Sequence, residues 1–293
     1  MQERFDQVNG IKLHVLHEGE ENEQIIIFLH GFPEYSYAWH KQLPFFAANG
    51  FYALAPDQRG YNLSSKPKGV KPYIIDNLVA DMAAWIKQLT PQKVILAAHD
   101  WGGGVAWALA IKHPELLHKL VIMNMPHLAV MKKHLRSNIK QMFKSWYAAF
   151  FQLPVIPELF CRLWGYRFLT GSLIRTSNKG TFSKQYLTLY KQAWQQPYAL
   201  TAMLNWYRAF KYDVFKTYPK VTVPTLIIWG KNDVTLSAEM AKDSANMCLN
   251  GKLIMLNDAT HWLHHEKPDE VNRLILDFVG PSSTLSKNSG ATS

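Results

Sequence analysis

The sequence predicts an α/β fold in which helices cover both faces of a mostly parallel β-sheet. Three observations predict it. Short apolar runs suited to buried strands recur along the chain, segments with helical periodicity separate several of them, and one long aromatic segment without strand signals interrupts the alternation. At 293 residues, the chain is long enough for one large domain that carries an insertion.

The first predicted element is a β-hairpin. The stretch RFDQVNGIKLHVLHEG reads as two strands joined by Asn9 and Gly10, and Asn-Gly is a strong signal for a tight turn between antiparallel strands. Six further strand-like runs follow, with helices predicted between them over 77–89 and 103–113. These runs are QIIIFLH, FYALAP, KVILAAH, KLVIMN, PTLIIWG and KLIMLN.

The alternation of strands and helices stops in a segment that is rich in tryptophan, tyrosine and phenylalanine and reads as several helices. We predict that this segment is a helical lid inserted between two strands of the sheet. The predicted division is a core domain at 1–126, the lid at 127–217 and the second part of the core at 218–280. The remaining residues, 281–293, are rich in Ser and Thr and are predicted to be a disordered tail.

The formal charge of +10 raises the question of an anionic partner. The densest basic group has near-helical spacing, which predicts the solvent-facing side of an amphipathic helix. No recognition motif accompanies the charge, so we do not expect nucleic-acid binding. The members of this group are Lys132, Lys133, His134, Arg136, Lys140 and Lys144.

Composition and the two cysteines predict a soluble, cytoplasmic protein. Hydrophobic residues make up 48% and charged residues 18% of the chain, which is typical of a globular protein. The N-terminus lacks a basic start followed by an apolar block, and no apolar run approaches the length of a membrane span. Cys161 and Cys248 have no metal-binding spacing, and we expect both to be reduced rather than paired.

The stretch VILAAHDWGGGVAWALA, from Val94 to Ala110, has the pattern of a strand, a sharp turn and a helix. Asp100 stands at the apex, with the small residues Ala98 and Gly102 two positions away, as such a turn requires. The N-terminus of the following helix favours an ionised carboxylate there. Asp is also a common helix N-cap. Three consecutive glycines weaken a helix start, so we favour a nucleophile over a cap.

The partners of such a nucleophile are expected later in the chain, first an acid and then a histidine. Asp233 follows the run PTLIIWG, and His261 follows KLIMLN. The acid would orient His261, which would act as a general base. Asp258, His264 and His265 compete for these roles, but the two histidines fall where a helix should begin. Asp233 could also be a turn residue, and the order of the three residues favours the catalytic interpretation.

A further strand ends in the stretch FLHGFP. The tight loop after this strand can direct the backbone N–H of Phe32 toward the reaction centre, beside the N–H of Trp101. Together these groups would form an oxyanion hole. Gly and Pro also mark ordinary turns, so this motif alone is a moderate signal.

With these residues in place, the chain resembles the α/β-hydrolase superfamily and, within it, the epoxide hydrolases. The resemblance extends to about Val279 and is carried by HGFPE, PDQRGYNLSSKP, AHDWGGG, WGKND and ATHWLHHEKPDEV. It implies the α/β-hydrolase fold with an inserted helical lid. Two positions depart from the usual family pattern, since Thr260 and Ala98 stand where glycine is common.

The resemblance also implies the reaction and further site residues. Tyr147, in WYAAFFQLP, and Tyr207, in NWYR, match the lid tyrosines that bind the epoxide oxygen in the family. Attack by Asp100 would give an ester, which water activated by His261 could hydrolyse to a vicinal diol, without a metal or cofactor. The substrate would be a small apolar epoxide, and the residues expected to bind it are His30, Pro33, Trp146, Phe150 and Trp206.

Three alternatives remain open at the level of sequence. Haloalkane dehalogenases also use an Asp followed by Trp, and this lid offers several tryptophans that could bind a halide. Haloacid dehalogenation is less favoured, because DWGGG lacks the Arg that holds a substrate carboxylate in fluoroacetate dehalogenases. A non-catalytic protein that binds a small apolar ligand is the third possibility, since a fold does not dictate activity.

Overall fold

The computed structural model describes residues 1–137, 141, 144, 146–212 and 219–281. Within these residues a β-sheet of eight strands forms the centre of the molecule. All six runs predicted after the hairpin form strands, which confirms those predictions. The strands are β1 Gln2–Val8, β2 Ile11–Glu18, β3 Gln24–Leu29, β4 Phe51–Pro56, β5 Val94–His99, β6 Leu117–Met123, β7 Thr225–Gly230 and β8 Gly251–Leu256.

The sheet is mostly parallel, as predicted, with the strand order β1-β2-β4-β3-β5-β6-β7-β8. Strand β2 pairs antiparallel with both β1 and β4, and the remaining neighbours are parallel. Parallel strands place their carboxyl ends at one edge of the sheet. The loops that follow β3, β5, β7 and β8 therefore gather at this edge, where ligands bind in open α/β sheets.

The β1–β2 hairpin has the predicted tight turn. Asn9 has a φ of 48° and Gly10 a φ of 75°, and the flanking residues Val8 and Ile11 pair directly. Two consecutive residues with positive φ are the signature of a turn that matches the twist of antiparallel strands, and Asn-Gly is the sequence that favours it.

The helices alternate with the strands in the core and follow one another in the lid. In the described part of the chain, four short 3₁₀ helices accompany them, at Ser36–Trp39, Lys71–Tyr73, Pro114–Leu116 and Phe210–Tyr212. The described α-helices are α1 Gln42–Ala47, α2 Ile75–Leu89, α3 Asp100–Lys112, α4 Leu128–Ser137, α5 Trp146–Phe150, α6 Ile156–Thr176, α7 Lys184–Gln195, α8 Ala199–Ala209, α9 Glu239–Ala245, α10 Leu263–Glu266 and α11 Pro268–Val279.

Both faces of the sheet are buried. In β3, Ile25, Ile27 and Leu29 belong to one apolar cluster, whereas Ile26 and Phe28 belong to another. Successive side chains of a strand point to opposite faces, so the two clusters lie on the two sides of the sheet. Helices α2 and α3 contribute to the first cluster, and α1 and α11 to the second. This double burial explains why the strands read as continuous apolar runs.

Helices α4 to α8 lie between β6 and β7 in the chain, and the described part of this segment contains no strand. The domain boundaries at 127–217 and 218–280 remain predictions. The predicted tail, 281–293, lies outside the described residues except for Pro281.

The prediction of a solvent-facing basic helix is correct only in part. Lys133 and Arg136 are exposed on α4, but His134 is buried, and its Nε2 lies 3.1 Å from Oδ2 of Asp243 on α9. The prediction is wrong for His134 because α4 packs against α9, a contact that helical spacing does not reveal. Lys140 lies outside the described residues.

Cys161 and Cys248 are both buried and unpaired, as predicted. Among the described residues, no helix combines the length and the apolar character needed to span a bilayer.

Candidate active site

Asp100 begins α3 directly after β5, and its φ of 47° places it in the left-handed region. A non-glycine residue is strained there, as expected at the sharp turn that presents a nucleophile. The turn depends on a small residue at Gly102. A Cβ at this position would lie 2.4 Å from the carbonyl oxygen of Leu29 and 2.5 Å from that of His30.

The three predicted catalytic residues meet at the carboxyl edge of the sheet. Oδ2 of Asp100 lies 3.6 Å from Nε2 of His261, and Nδ1 of His261 lies 2.7 Å from Oδ2 of Asp233. Asp233 follows β7 and His261 follows β8, so the parallel strands bring the three side chains together. Histidine is thus positioned between a nucleophile and an orienting acid.

Asp233 is held by several hydrogen bonds. Its Oδ1 accepts from the backbone N–H groups of Thr235 at 2.7 Å and Leu236 at 2.9 Å. Its Oδ2 accepts from Nδ2 of Asn124 at 2.5 Å. Burial alone would raise the pKa of Asp233, but His261 and these donors outweigh it and lower the pKa to about 2. Asp233 therefore stays ionised and fixes the ring of His261.

Asn124 is a functional position that the sequence reasoning missed. It follows β6, donates to Asp233, and accepts from the backbone N–H of Gly230 at 2.9 Å. An Asn at the end of a strand, beside the strand that leads to the acid, is the signal that could have indicated this role.

The pKa of His261 reflects its two carboxylate neighbours. Burial alone would lower this pKa, but Asp233 and Asp100 outweigh burial and raise it to about 10. Burial would likewise raise the pKa of Asp100, yet His261 and the N–H of Phe32 bring it below the usual value. The resting site therefore contains an ionised Asp100 next to a protonated His261.

The predicted oxyanion hole is formed on one side by the loop after β3. The N–H of Phe32 donates to Oδ1 of Asp100 at 2.8 Å. Trp101 follows Asp100 in the first turn of α3, where backbone N–H groups have no acceptor within the helix. The loop approaches closely because Gly31 has no side chain, since a Cβ there would lie 2.4 Å from Cβ of Asp100. The Phe32–Pro33 peptide bond is cis.

Two cavities meet at Asp100, Tyr147 and Tyr207, which line both of them. The larger cavity has a volume of about 520 Å³ and extends between the triad and the lid. The smaller has a volume of about 110 Å³ and lies on the side of Trp101. Their sizes and largely apolar walls suit a small ligand with one large and one small substituent.

The two lid tyrosines are neighbours, with ring centroids 5.9 Å apart. Burial, followed by the charge of Asp100, raises the pKa of Tyr147 far above its usual value. Burial and the neighbouring Tyr147 do the same for the pKa of Tyr207. Both hydroxyl groups therefore keep their protons and can donate hydrogen bonds to an oxygen in the cavity.

Of the five residues predicted to bind substrate, the structure places Pro33 and Trp146 on the wall of the larger cavity. His30, Phe150 and Trp206 line neither cavity. His30 is fully buried and accepts from the backbone N–H of Gln58 at 3.1 Å.

Trp206 is also buried, and its Nε1–H donates to the carbonyl oxygen of Arg59 at 3.0 Å. Phe150 packs against Phe151 and Phe160. A substrate contact is therefore corrected to a packing role at these three positions, because proximity in sequence to a site residue does not determine which way a side chain points.

A second group of buried polar residues lies behind the catalytic histidine and was not predicted. Oε1 of Glu34 accepts from the hydroxyl of Tyr190 at 2.7 Å and lies 2.6 Å from Nε2 of His265. Its Oε2 lies 3.4 Å from Nδ1 of His99 and 3.4 Å from Nε2 of His264. The signals in the sequence that could have indicated this group are the Glu of HGFPE and the paired histidines near the C-terminus.

This buried group touches the active site through His99, whose Nε2 lies 2.8 Å from the backbone oxygen of His261. A carbonyl oxygen can only accept, so Nε2 of His99 donates this hydrogen bond. Among the described residues, Glu34, His99 and His264 are also close enough together to hold a metal ion. The expectation of a metal-free enzyme remains a prediction.

The chain is similar to known proteins of one family. The α/β hydrolase fold family matches residues 24–268. AB hydrolase superfamily protein YfhM of Bacillus subtilis is 46% identical over 94% of this chain and 97% of its own length. Epoxide hydrolase 1 of Caenorhabditis elegans is 35% identical over 94% of this chain and 70% of its own length. The chain belongs to the epoxide hydrolases of the α/β-hydrolase family.

The solved structures agree with this assignment. Epoxide hydrolase from Bacillus megaterium in complex with an inhibitor superposes with a TM-score of 0.85 at 30% identity, and the match covers 94% of this chain and 99% of that one. Epoxide hydrolase VrEH1 from Vigna radiata gives a TM-score of 0.82 at 27% identity, over 95% and 97% of the two chains. The protein is therefore a hydrolase, against the alternative of a non-catalytic binding protein.

Proposed function

We propose that this enzyme hydrolyses apolar epoxides to vicinal diols through a covalent ester on Asp100. One observation carries the proposal. A carboxylate nucleophile and two protonated tyrosine hydroxyls, Tyr147 and Tyr207, line the same pair of cavities. An epoxide at their junction would offer a carbon to Asp100 and its oxygen to the tyrosines.

In the first half-reaction, Oδ2 of Asp100 is the attacking atom, because Oδ1 is already bound to the N–H of Phe32. A bond forms between this oxygen and an epoxide carbon while the carbon–oxygen bond of the ring breaks. Tyr147 and Tyr207 donate hydrogen bonds to the leaving oxygen, and one of the two hydroxyls transfers its proton to it. A serine in place of Asp100 would give an ether that the site could not hydrolyse.

In the second half-reaction, ester formation removes the negative charge of Asp100 from beside His261. One of the two carboxylates that raise the pKa of His261 has lost its charge, so the imidazolium releases its proton more readily, and this proton restores the tyrosine hydroxyl. Neutral His261, held by Asp233, can then take a proton from the water that attacks the ester carbonyl, while the N–H groups of Phe32 and Trp101 stabilise the oxyanion. When the ester carbon–oxygen bond breaks, the departing oxygen takes the proton from His261 and the diol leaves, and the carboxylic acid left at Asp100 returns its proton to His261.

Dehalogenation is the runner-up reaction with the same nucleophile. The pair of tyrosines in the cavity favours an epoxide over a haloalkane as the substrate, since a halide leaves without needing a proton. The relative from Caenorhabditis elegans and the Bacillus megaterium structure are named epoxide hydrolases as well. Incubation with styrene oxide and, separately, with a bromoalkane distinguishes the two classes. Release of halide without formation of diol would contradict the proposal.

The decisive experiment is capture of the ester. We expect Asp100→Ala to abolish turnover, and His261→Gln to accumulate an adduct of enzyme and epoxide because the ester still forms but is not hydrolysed. Mass spectrometry of the peptide containing residue 100 measures the adduct. Asp243→Ala, at a carboxylate outside both cavities, should turn over normally. If the His261→Gln variant is folded but forms no adduct, the result counts against the mechanism.

The proposal includes no organic cofactor, since a carboxylate, an imidazole and two phenols supply the nucleophile, the base and the proton donors. It also includes a cytoplasmic location, which the two free cysteines support.

A further inference from the structure

The lid carries a group of large apolar side chains that are open to solvent. We call it the lid patch. Its members are exposed by between 38% at Phe160 and 75% at Trp164. Exposed apolar side chains that are concentrated in one short segment indicate an interaction site more often than a scattered single residue does. The lid patch consists of Leu153, Val155, Ile156, Leu159, Phe160, Leu163 and Trp164.

The first part of α6 has its polarity inverted. Ile156, Leu159 and Phe160 lie at helical spacing on the exposed side, where a packed helix normally presents polar residues. On the inner side, Glu158 is buried and forms an ion pair with Arg208 at 2.7 Å. This helix therefore satisfies its charged residue within the protein and presents its apolar residues to the outside.

The backbone also departs from a helix where the lid patch ends. Trp164 has a φ of 50° and Tyr166 a φ of 64°, both in the left-handed region. Bulky residues are disfavoured there. The break turns Trp164 outward and Tyr166 inward, since Trp164 is the most exposed member of the patch while Tyr166 is buried. Strained segments of this kind are found at functional sites.

The positive charge of the protein is concentrated in the same part of the chain. The segment 127–217 contains 14 Lys and Arg residues and 2 Asp and Glu residues, of 32 and 22 in the whole chain. The lid segment thus has a formal charge of +12 and the remainder a charge of −2. The overall charge of +10 is therefore a property of the lid.

Arg162 lies between members of the lid patch in α6, Arg167 follows the patch, and both are exposed. Neither forms a salt bridge with any side chain in the described part of the chain, and the same holds for Arg175, Lys179 and Lys184. An apolar surface bordered by free cations is the pattern of helices that lie in the interface of anionic membranes.

The lid patch continues into the larger cavity. Phe160 contacts Phe168, with ring centroids 4.9 Å apart, and Phe150 at 5.5 Å. Phe168 lines the cavity, as does Trp146, which contacts Phe150 at 6.3 Å. A row of aromatic rings therefore leads from the exposed patch to the site.

We propose that the lid patch binds the surface of membranes that contain anionic lipids. The apolar side chains would enter the boundary between headgroups and acyl chains while the arginines contact lipid phosphates. A second copy of this chain fits less well, because two lids of charge +12 would face each other. One consequence, which rests on the proposed function, is that epoxides dissolved in the membrane reach the cavity along the aromatic row.

The test is co-sedimentation of the full-length protein with vesicles. We expect binding to vesicles of phosphatidylcholine mixed with phosphatidylglycerol and much weaker binding to pure phosphatidylcholine. Salt should reduce the binding, because it screens the charges. This measurement involves no substrate, so its failure leaves the proposed reaction untouched, and failure of the ester capture leaves the membrane inference untouched.

Two matched pairs of variants assign the binding to the lid. Trp164→Ser combined with Leu159→Ser should lower the partition coefficient about tenfold or more, whereas Leu249→Ser, at an equally exposed core position, should not. Arg162→Gln with Arg167→Gln should lower it about thirtyfold. Lys231→Gln with Lys252→Gln, two exposed charges of the core, serves as the control. Circular dichroism verifies that each variant is folded.

Several results would overturn the inference. One is equal binding to neutral and anionic vesicles, and another is a core control that weakens binding as much as the lid variant does. A dimer in sedimentation velocity that Trp164→Ser dissociates, without vesicle binding, would assign the patch to self-association. Binding to polyglutamate but not to anionic vesicles would assign it to an acidic polypeptide.

Discussion

Asp100 and His261 form an ion pair in the resting site, and their 3.6 Å separation makes the protonation of one depend on the charge of the other. Asp233 contributes a second carboxylate at 2.7 Å. The proposed reaction uses this dependence, because the charge on Asp100 disappears when the ester forms and returns when it is hydrolysed. His261 would thus become a base only while there is an ester to hydrolyse.

The first prediction concerns this coupling. Asp100→Asn removes the charge and keeps the shape, so the pKa of His261 should fall below its value of about 10 in the parent enzyme. It should remain raised to some extent by Asp233. Titration of the His261 ring by NMR measures the shift. Asp243→Asn, which contacts His134 instead, should leave this pKa unchanged, and an unchanged pKa in Asp100→Asn would refute the coupling.

The second prediction separates the two half-reactions. Tyr147→Phe and Tyr207→Phe should each slow ester formation, and the double variant should slow it by about a hundredfold or more, because the leaving oxygen loses its proton donors. Single-turnover kinetics on an epoxide measures the step. Tyr186→Phe is the control, because this lid tyrosine forms a hydrogen bond with His40 outside the cavities. It should form the ester at the rate of the parent enzyme. An unaffected double variant would remove the tyrosines from the mechanism.

Among the elements, the loop after β3 and the turn between β5 and α3 interlock through positions without side chains. A Cβ at Gly31 would overlap Asp100, and one at Gly102 would overlap the carbonyl oxygens of Leu29 and His30. The N–H of Phe32 reaches Oδ1 of Asp100 only because the two segments approach this closely. The proposed oxyanion hole therefore depends on how two strand ends pack.

The third prediction tests this packing. Gly31→Ala should destabilise the protein by about 1–3 kcal/mol and lower turnover, since the loop must move away from Asp100. Gly171→Ala is the matched control, because its Cβ would meet only the mobile end of the Arg175 side chain. Thermal unfolding and steady-state kinetics measure both effects. A fully active and stable Gly31→Ala variant would show that the loop can shift without cost.

In the whole molecule, Glu34 joins three parts of the chain. It follows β3 in the first part of the core, accepts from Tyr190 of the lid, and contacts His264 and His265 of the second part of the core. Burial alone would raise the pKa of Glu34, but its contacts with His265 and His264 outweigh burial and hold the pKa well below 4.5. The ionised form therefore stabilises the folded state.

The fourth prediction follows from that shift. Glu34→Gln should lower the free energy of unfolding by about 3 kcal/mol near neutral pH, as expected for breaking a buried pair. Because the folded pKa is depressed, the advantage of the parent is present above pH 4.5 and is lost as the pH falls through the folded pKa. Denaturant unfolding at several pH values measures it. The exposed Glu20→Gln should show no such difference, and a Glu34→Gln variant as stable as the parent would contradict the role.

Much of this architecture could be predicted from local patterns. Strand runs, the Asn9-Gly10 turn and the glycines around Asp100 each impose a backbone geometry on a few neighbouring residues. The order of acid and histidine predicted their meeting because parallel strands end at one edge. Tyr147 and Tyr207 were identified by resemblance, since nothing in their spacing distinguishes a tyrosine that faces a cavity from one that packs in a lid.

Other features depend on contacts between distant residues, and local patterns do not encode those. Three examples are the burial of His134 against α9, the packing roles of His30 and Trp206, and the group around Glu34. The sequence by itself determined the backbone class, the nucleophile turn and the chain order of the catalytic residues, because these rest on short-range sterics and strand direction. Only the tertiary structure decided which side chains face the cavity, which charges are buried together and which apolar residues of α6 face outward, because these depend on how separate elements pack.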